Sequence, residues 1–146
     1  MIYFISGHRE VDDNHFELYT RAINRAIDAA LVSGIHVEFI VGDYHGVDDR
    51  AQQYLKQKNA TVTVYHMFTE PRHNAGFPTK GGFTTDHERD LAMTMASDED
   101  IAFVMPGKEG SGTAQNLVRR KLVQLFNHMP KKERGKFIES ISDAML

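Results

Sequence analysis

The sequence predicts an α/β protein: a three-layer sandwich with a mostly parallel sheet of at least four strands, plus a C-terminal helix. Three observations lead there. Short apolar or β-branched runs alternate with segments whose apolar residues recur at three- and four-residue steps. Two of the short runs stop directly at a glycine, Gly7 and Gly42, and another stops at Pro106-Gly107. The intervening segments are long enough for right-handed crossovers between parallel strands.

The elements follow in chain order. Ile2 to Ser6 reads as a buried first strand rather than a signal peptide, because no basic region precedes it. After the polar loop His8 to Asp13, with Asp13 or Asn14 as cap, Phe16, Tyr19, Ile23, Ile27, Ala30 and Leu31 mark one face of a helix that Gly34 ends. Val37 to Val41 is the second strand and Val47 to Lys58 the second helix. Thr61 to Tyr65 is a β-branched third strand. Met67 to Thr85 has no strong pattern and carries Pro71, Gly76, Pro78, Gly81 and Gly82, so it is expected to be a mobile lid. Asp86 to Ser97 is helical, and Ile101 to Met105 is the fourth strand. A helix from Thr113 to Phe126 follows the turn Pro106 to Thr113. Residues 127–146 form a helical extension with Phe137, Ile138, Ile141 and Met145 as its apolar stripe.

A chain of 146 residues holds one such domain, with no room for a second core of comparable size. The net charge of −3 counts against a general duplex-DNA binder but leaves room for a local anion site. With no cysteine, thiolate metal sites and cysteine nucleophiles are excluded. The eight histidines form no HxxxH or HExxH pair, so no metal site is expected, and no cofactor either. No apolar run is long enough to span a bilayer, and a cytoplasmic location is expected.

Ligands of open α/β sheets bind outside the carboxyl ends of the strands. That edge collects Gly7, His8 and Arg9 after the first strand, and Gly42, Asp43, Gly46 and Asp48 after the second. Arg72, Lys80 and Arg89 reach it from the long connection and the helix after it. Gly107, Lys108, Gly110, Ser111, Gly112 and Thr113 follow the fourth strand. Glycines admit a ligand close to the backbone, and helix N-termini present free N–H groups, so Gly110 to Thr113 reads as a phosphate cradle. Arg119-Arg120-Lys121 reads as a solvated helix face.

Ile5-Ser6-Gly7-His8-Arg9 and Gly42-Asp43-Tyr44-His45-Gly46-Val47-Asp48-x-x-Ala51 resemble the Gly-x-Arg opening and GGAxGxDxxA signature of the SLOG superfamily. This group of Rossmann-like nucleotide-binding domains includes LOG phosphoribohydrolases and DprA-like and YpsA-like proteins. His87-x-Arg89-x-x-x-Met93 is similar to the HxRKxxM helix of LOG enzymes, and Gly107 with Gly112-Thr113 to their PGGxGTxxE motif. The resemblance spans roughly residues 1 to 125. Asp43, Asp90 and Asn116 depart from the pattern. Asn116 stands where LOG enzymes carry the glutamate that acts with arginine in cleaving a base–ribose bond.

The resemblance implies a nucleotide or ADP-ribose-like ligand. It also implies a homodimer or larger oligomer, for which the C-terminal stripe offers a contact. Two functions are carried forward. One is a sensor or sequestering module that binds the ligand through its phosphate, with Asn116 among the binding residues. The other is an N-glycosidase, with Arg89 holding phosphate and Asp48 or Glu88, among the carboxylates that include Glu10 and Glu109, acting at the sugar. A DprA-like single-strand DNA binder stands behind both. It would need Tyr44, Phe77 and Phe83 as stacking platforms.

Overall fold

The computed structural model describes residues 1–145, and side chains through residue 140. Five strands form one all-parallel sheet: β1 (Ile2–Ile5), β2 (Glu38–Val41), β3 (Thr61–Met67), β4 (Thr79–Phe83) and β5 (Glu99–Ile101). Their spatial order is β4-β3-β2-β1-β5. Five helices accompany them: α1 (Asp13–Ser33), α2 (Val47–Gln57), α3 (Asp86–Ala96), α4 (Gly112–His128) and α5 (Arg134–Met145). The architecture is a Rossmann-like sandwich with a C-terminal helix, as the alternating pattern predicts.

The two faces of the sheet have separate cores because side chains alternate along each strand. Ile5, Phe39, Val41, Val62 and Val64 meet Phe16, Tyr19 and Ile23 of α1 and Val47, Ala51 and Leu55 of α2. Phe4, Ile40 and Tyr65 face the other way and meet Met93 of α3. The chain runs from β1 outward through β2 and β3 to β4. It then returns over the opposite face by α3, to place β5 on the far side of β1. The junction of β1 with β5 is thus the topological switch point, where such sheets open a crevice.

Several elements differ from the sequence-based expectation. The fifth strand, β4, lies within the segment expected to be a lid. It pairs with β3, Val64 opposite Thr79, and sits at the sheet edge. The connection before it is pinned rather than loose. Gln52 of α2 donates to the carbonyls of Gly42 and His73 and accepts the Ala75 N–H, and Lys56 bonds the Ala75 carbonyl. The fourth predicted strand, Ile101 to Met105, contributes only Ile101 to the sheet. Beyond it, backbone donors turn to side chains: Phe103 N–H to the Tyr19 hydroxyl and Met105 N–H to His8 Nε2. The α1 cap is Asp12, which accepts the His15 N–H at 2.7 Å.

Arg119 and Arg120 are buried, contrary to the solvated face read from their charge. Arg120 bonds the carbonyls of Thr94 and Ser97 at the end of α3, and Asp100 at 3.0 Å. It therefore fastens α4 to α3 and β5. In the C-terminal extension Phe137 is half-buried against Phe126, while Ile138 is exposed; the side chains of Ile141 and Met145 lie outside the described residues. No helix among the described residues is long and apolar enough to cross a membrane.

Candidate functional site

A cavity of about 400 Å³ opens at the switch point. Its walls come from four places. The β1–α1 loop supplies Gly7, His8, Arg9 and Glu10, and the β2–α2 loop with the first turn of α2 supplies Gly42, Tyr44 and Asp48. The start of α3 gives Asp86, Arg89, Asp90 and Met93, and the start of α4 gives Ser111, Gly112, Thr113 and Asn116, with Lys108 before it. Phe4 and Ser6 of the β1 strand and its end form the floor.

The loops are shaped by close approach. Gly46 has φ +85°, and a side chain there would run into the Arg9 carbonyl, so only glycine lets the β1–α1 and β2–α2 loops touch. The Val47 N–H, first in α2, donates to the His8 carbonyl across the same contact. At Gly42 a Cβ would lie 2.5 Å from Asp48 Oδ2 and 3.4 Å from the Arg89 guanidinium carbon. The glycine there makes room for the charged groups behind it.

The wall formed by α3 and β2 is a charge network. Arg89 is buried, with three hydrogen bonds to carboxylates: two to Asp90 Oδ1 and one to Asp43 Oδ1 at 2.9 Å. Asp43 also receives the backbone N–H and guanidinium of Arg72. Burial opposes ionisation of Asp43, but the bonds from Arg72 and the charge of Arg89 outweigh it and hold its carboxyl below the usual range. Asp48 fares differently. Burial pushes it up to about 7, against the pull of Arg89 and a bond from the Tyr44 N–H at 3.2 Å. Near neutral pH the cavity thus contains a carboxyl group able to give or take a proton.

The wall formed by α4 presents donors. Ser111 caps the helix, its Oγ accepting the Ala114 N–H. The N–H groups of Gly112 and Thr113 have no acceptor among the described residues. Asn116 is buried, and its Oδ1 accepts from Arg119 NH1 at 2.7 Å. A guanidinium can only donate, so this bond fixes the amide orientation and leaves the Asn116 NH₂ for the cavity. Ser6 Oγ is buried and has no hydrogen-bond partner among the described residues. His8 accepts the Met105 N–H through Nε2, which puts its proton on Nδ1. Burial, with His15 and Lys108 adding to it, lowers its pKa, so the ring is a neutral strut.

Most residues singled out from the sequence converge here: Gly7, His8, Arg9, Gly42, Asp48, Arg89, Ser111, Gly112, Thr113 and Asn116 all line the cavity. Asp43 stands behind it as the partner of Arg89. Gly46, Gly107 and Gly110 shape loops without lining it. Glu88 is turned away: its carboxylate accepts from the Thr84 N–H and hydroxyl while its own N–H bonds Oγ1 of Thr85, the residue that caps α3. Glu109 accepts the Gly107 N–H inside its own turn. Ser6, Asp90 and Met93 entered the sequence reading only as motif positions, and Phe4 and Asp86 not as site residues at all; none of the five was expected to line a cavity. Ser6 sits at the edge the strand pattern identified, but nothing in its neighbours announces a bare hydroxyl.

Among the described residues no cluster of histidine and carboxylate side chains is arranged to hold a metal ion. Compared with protein-family models, curated proteins and solved structures, the chain matches none.

Proposed function

We propose that this cavity binds a nucleotide or nucleotide-derived ligand through its phosphate, and that the protein acts as a sensor or sequestering module for it. One observation carries the reading. Among the described residues the N-terminus of α4 offers unbonded N–H groups to the same cavity that the amide of Asn116 lines. A helix N-terminus favours an anion through its dipole as well as its donors. Lys108 adds a positive charge at the rim. The segments that resemble the SLOG superfamily all reach this cavity, which supports the same reading.

Asn116 separates the binding reading from hydrolysis, since an amide cannot stabilise a sugar cation as a carboxylate does. The second reading, N-glycosidic cleavage, is favoured by Asp48, whose raised pKa suits proton transfer to a departing base. Single-strand DNA binding loses its platforms. Arg9, Arg72 and His45 crowd the Tyr44 ring, Phe83 packs on Tyr65, and Phe77 packs on the core.

Incubation with a panel of nucleotides, followed by chromatography, separates the two main readings. Intact ligand retained by the protein is expected. Release of free base would make it an enzyme, and a ligand-bound structure with the α4 N-terminus empty would end the phosphate reading.

A further inference from the structure

We propose that the cavity has a second anion seat, built by Arg9 on the Tyr44 ring, and that its ligand carries two linked phosphates, as a nucleoside diphosphate does. This rests on the phosphate reading above and narrows its ligand class. Arg9 and Arg89 both line the cavity, in opposite conditions. Arg89 is buried and bonded to Asp90 and Asp43, so a phosphate would have to displace carboxylates to reach it. Arg9 is exposed, and among the described residues its guanidinium has no hydrogen bond or ion pair, not even with its neighbour Glu10. What holds it is Tyr44, with the guanidinium carbon 4.1 Å from the ring centre.

Stacking engages the flat face of a guanidinium and leaves its N–H edge, in the plane, for a bidentate bond to phosphate. The Tyr44 ring therefore orders Arg9 without consuming a donor. Tyr44 is itself held: its N–H donates to Asp48, and Arg72 lies 4.2 Å from the ring centre. The charge of Arg72 is answered by Asp43 and Asp86, whereas that of Arg9 is not.

The topology separates this seat from the first. Tyr44 follows β2, α4 follows β5, and β1 lies between those strands. Neighbouring strands are about 4.8 Å apart, so the ends of β2 and β5 lie roughly 10 Å apart across the sheet edge. Two linked phosphates span more of that distance than one does, and the reach of the arginine side chain covers the rest.

Calorimetry with adenosine mono- and diphosphate as probes tests this on the wild type and four variants. The wild type is expected to bind the diphosphate about tenfold more tightly, and Arg9→Ala to lose that preference and its share of the salt dependence. Arg9→Lys should recover only part of it, lacking the fork. Tyr44→Leu should weaken diphosphate binding several-fold while keeping the salt dependence, and Tyr44→Phe, which keeps the ring, should rescue it. Circular dichroism checks that Tyr44→Leu is folded; if it is not, the Arg9 variants decide. Equal wild-type affinity for the two probes, or diphosphate binding unchanged in Arg9→Ala, overturns the second seat and leaves the phosphate reading standing. Unchanged binding in a folded Tyr44→Leu removes Tyr44 from the seat. A wild type that binds neither probe overturns both readings.

Discussion

A carboxylate in the first turn of a helix is ordinarily favoured by the helix dipole. Asp48 occupies that position in α2, yet burial raises its pKa from about 3.8 to about 7. The folded protein thus keeps a proton that the unfolded chain releases above about pH 4, and stability falls as pH rises from there to about 7. Asp48→Asn keeps an acceptor for the Tyr44 N–H and removes the titration. It should be more stable than the wild type at pH 8, by up to about 4 kcal/mol, with the gain vanishing near pH 4. Urea unfolding at pH 4, 6 and 8 measures this, and a wild-type profile level across that range would contradict it. Arg89 answers the neighbouring acids. Arg89→Met leaves Asp43 and Asp90 short of a buried cation and should cost about 3–5 kcal/mol in the same assay. A variant as stable as the wild type would show that the network is not holding the site together.

At the scale of elements, α4 has two tasks. Its first turn presents donors to the cavity, and its second and third turns carry Asn116, Arg119 and Arg120 into the interface with α3 and β5. The charges of Arg119-Arg120-Lys121 suggest solvent, but burial follows helical phase, and only the placement of α3 makes that phase an interior one. The β3–β4 connection shows a similar dependence. Its glycines and prolines read as freedom, while Gln52, a polar residue with no sequence signal, bonds it on both donor and acceptor sides. Gln52→Ala should speed amide hydrogen exchange through residues 71–77 and lower stability by about 2 kcal/mol. Exchange that is already fast in the wild type and unchanged in the variant would restore the lid.

For the whole molecule, the expectation is a homodimer or larger oligomer, and α4 offers a contact beside the C-terminal stripe. Val118 and Leu125 are exposed and lie seven residues apart, hence on one face of α4; Ile138 of α5 is exposed too. Light scattering at tens of micromolar should give the mass of a dimer or larger oligomer, and Val118→Glu with Leu125→Glu should give a monomer. A monomer mass for the wild type would end this expectation. The resemblance to SLOG proteins bears on the same scale, because it concerns the order of segments around one edge rather than any single residue.

The sequence by itself determined the layered α/β architecture, because strand and helix periods are local properties that survive without knowledge of neighbours. It also determined the edge where the candidate site lies, because glycines after strands and a capped helix start are local signals as well. Gly7, Gly42 and Ser111 to Thr113 were legible for that reason. The tertiary structure alone decided which charges are engaged. Arg89 is bound by acids, Arg9 is left open on a tyrosine ring, Glu88 is spent on a cap, and Ser6 is bare. Those conditions depend on partners up to 46 residues away, as between Arg89 and Asp43. The desolvation that moves Asp48 exists only once α3 has closed over β1 and β2, so no reading of the residues around it could supply it.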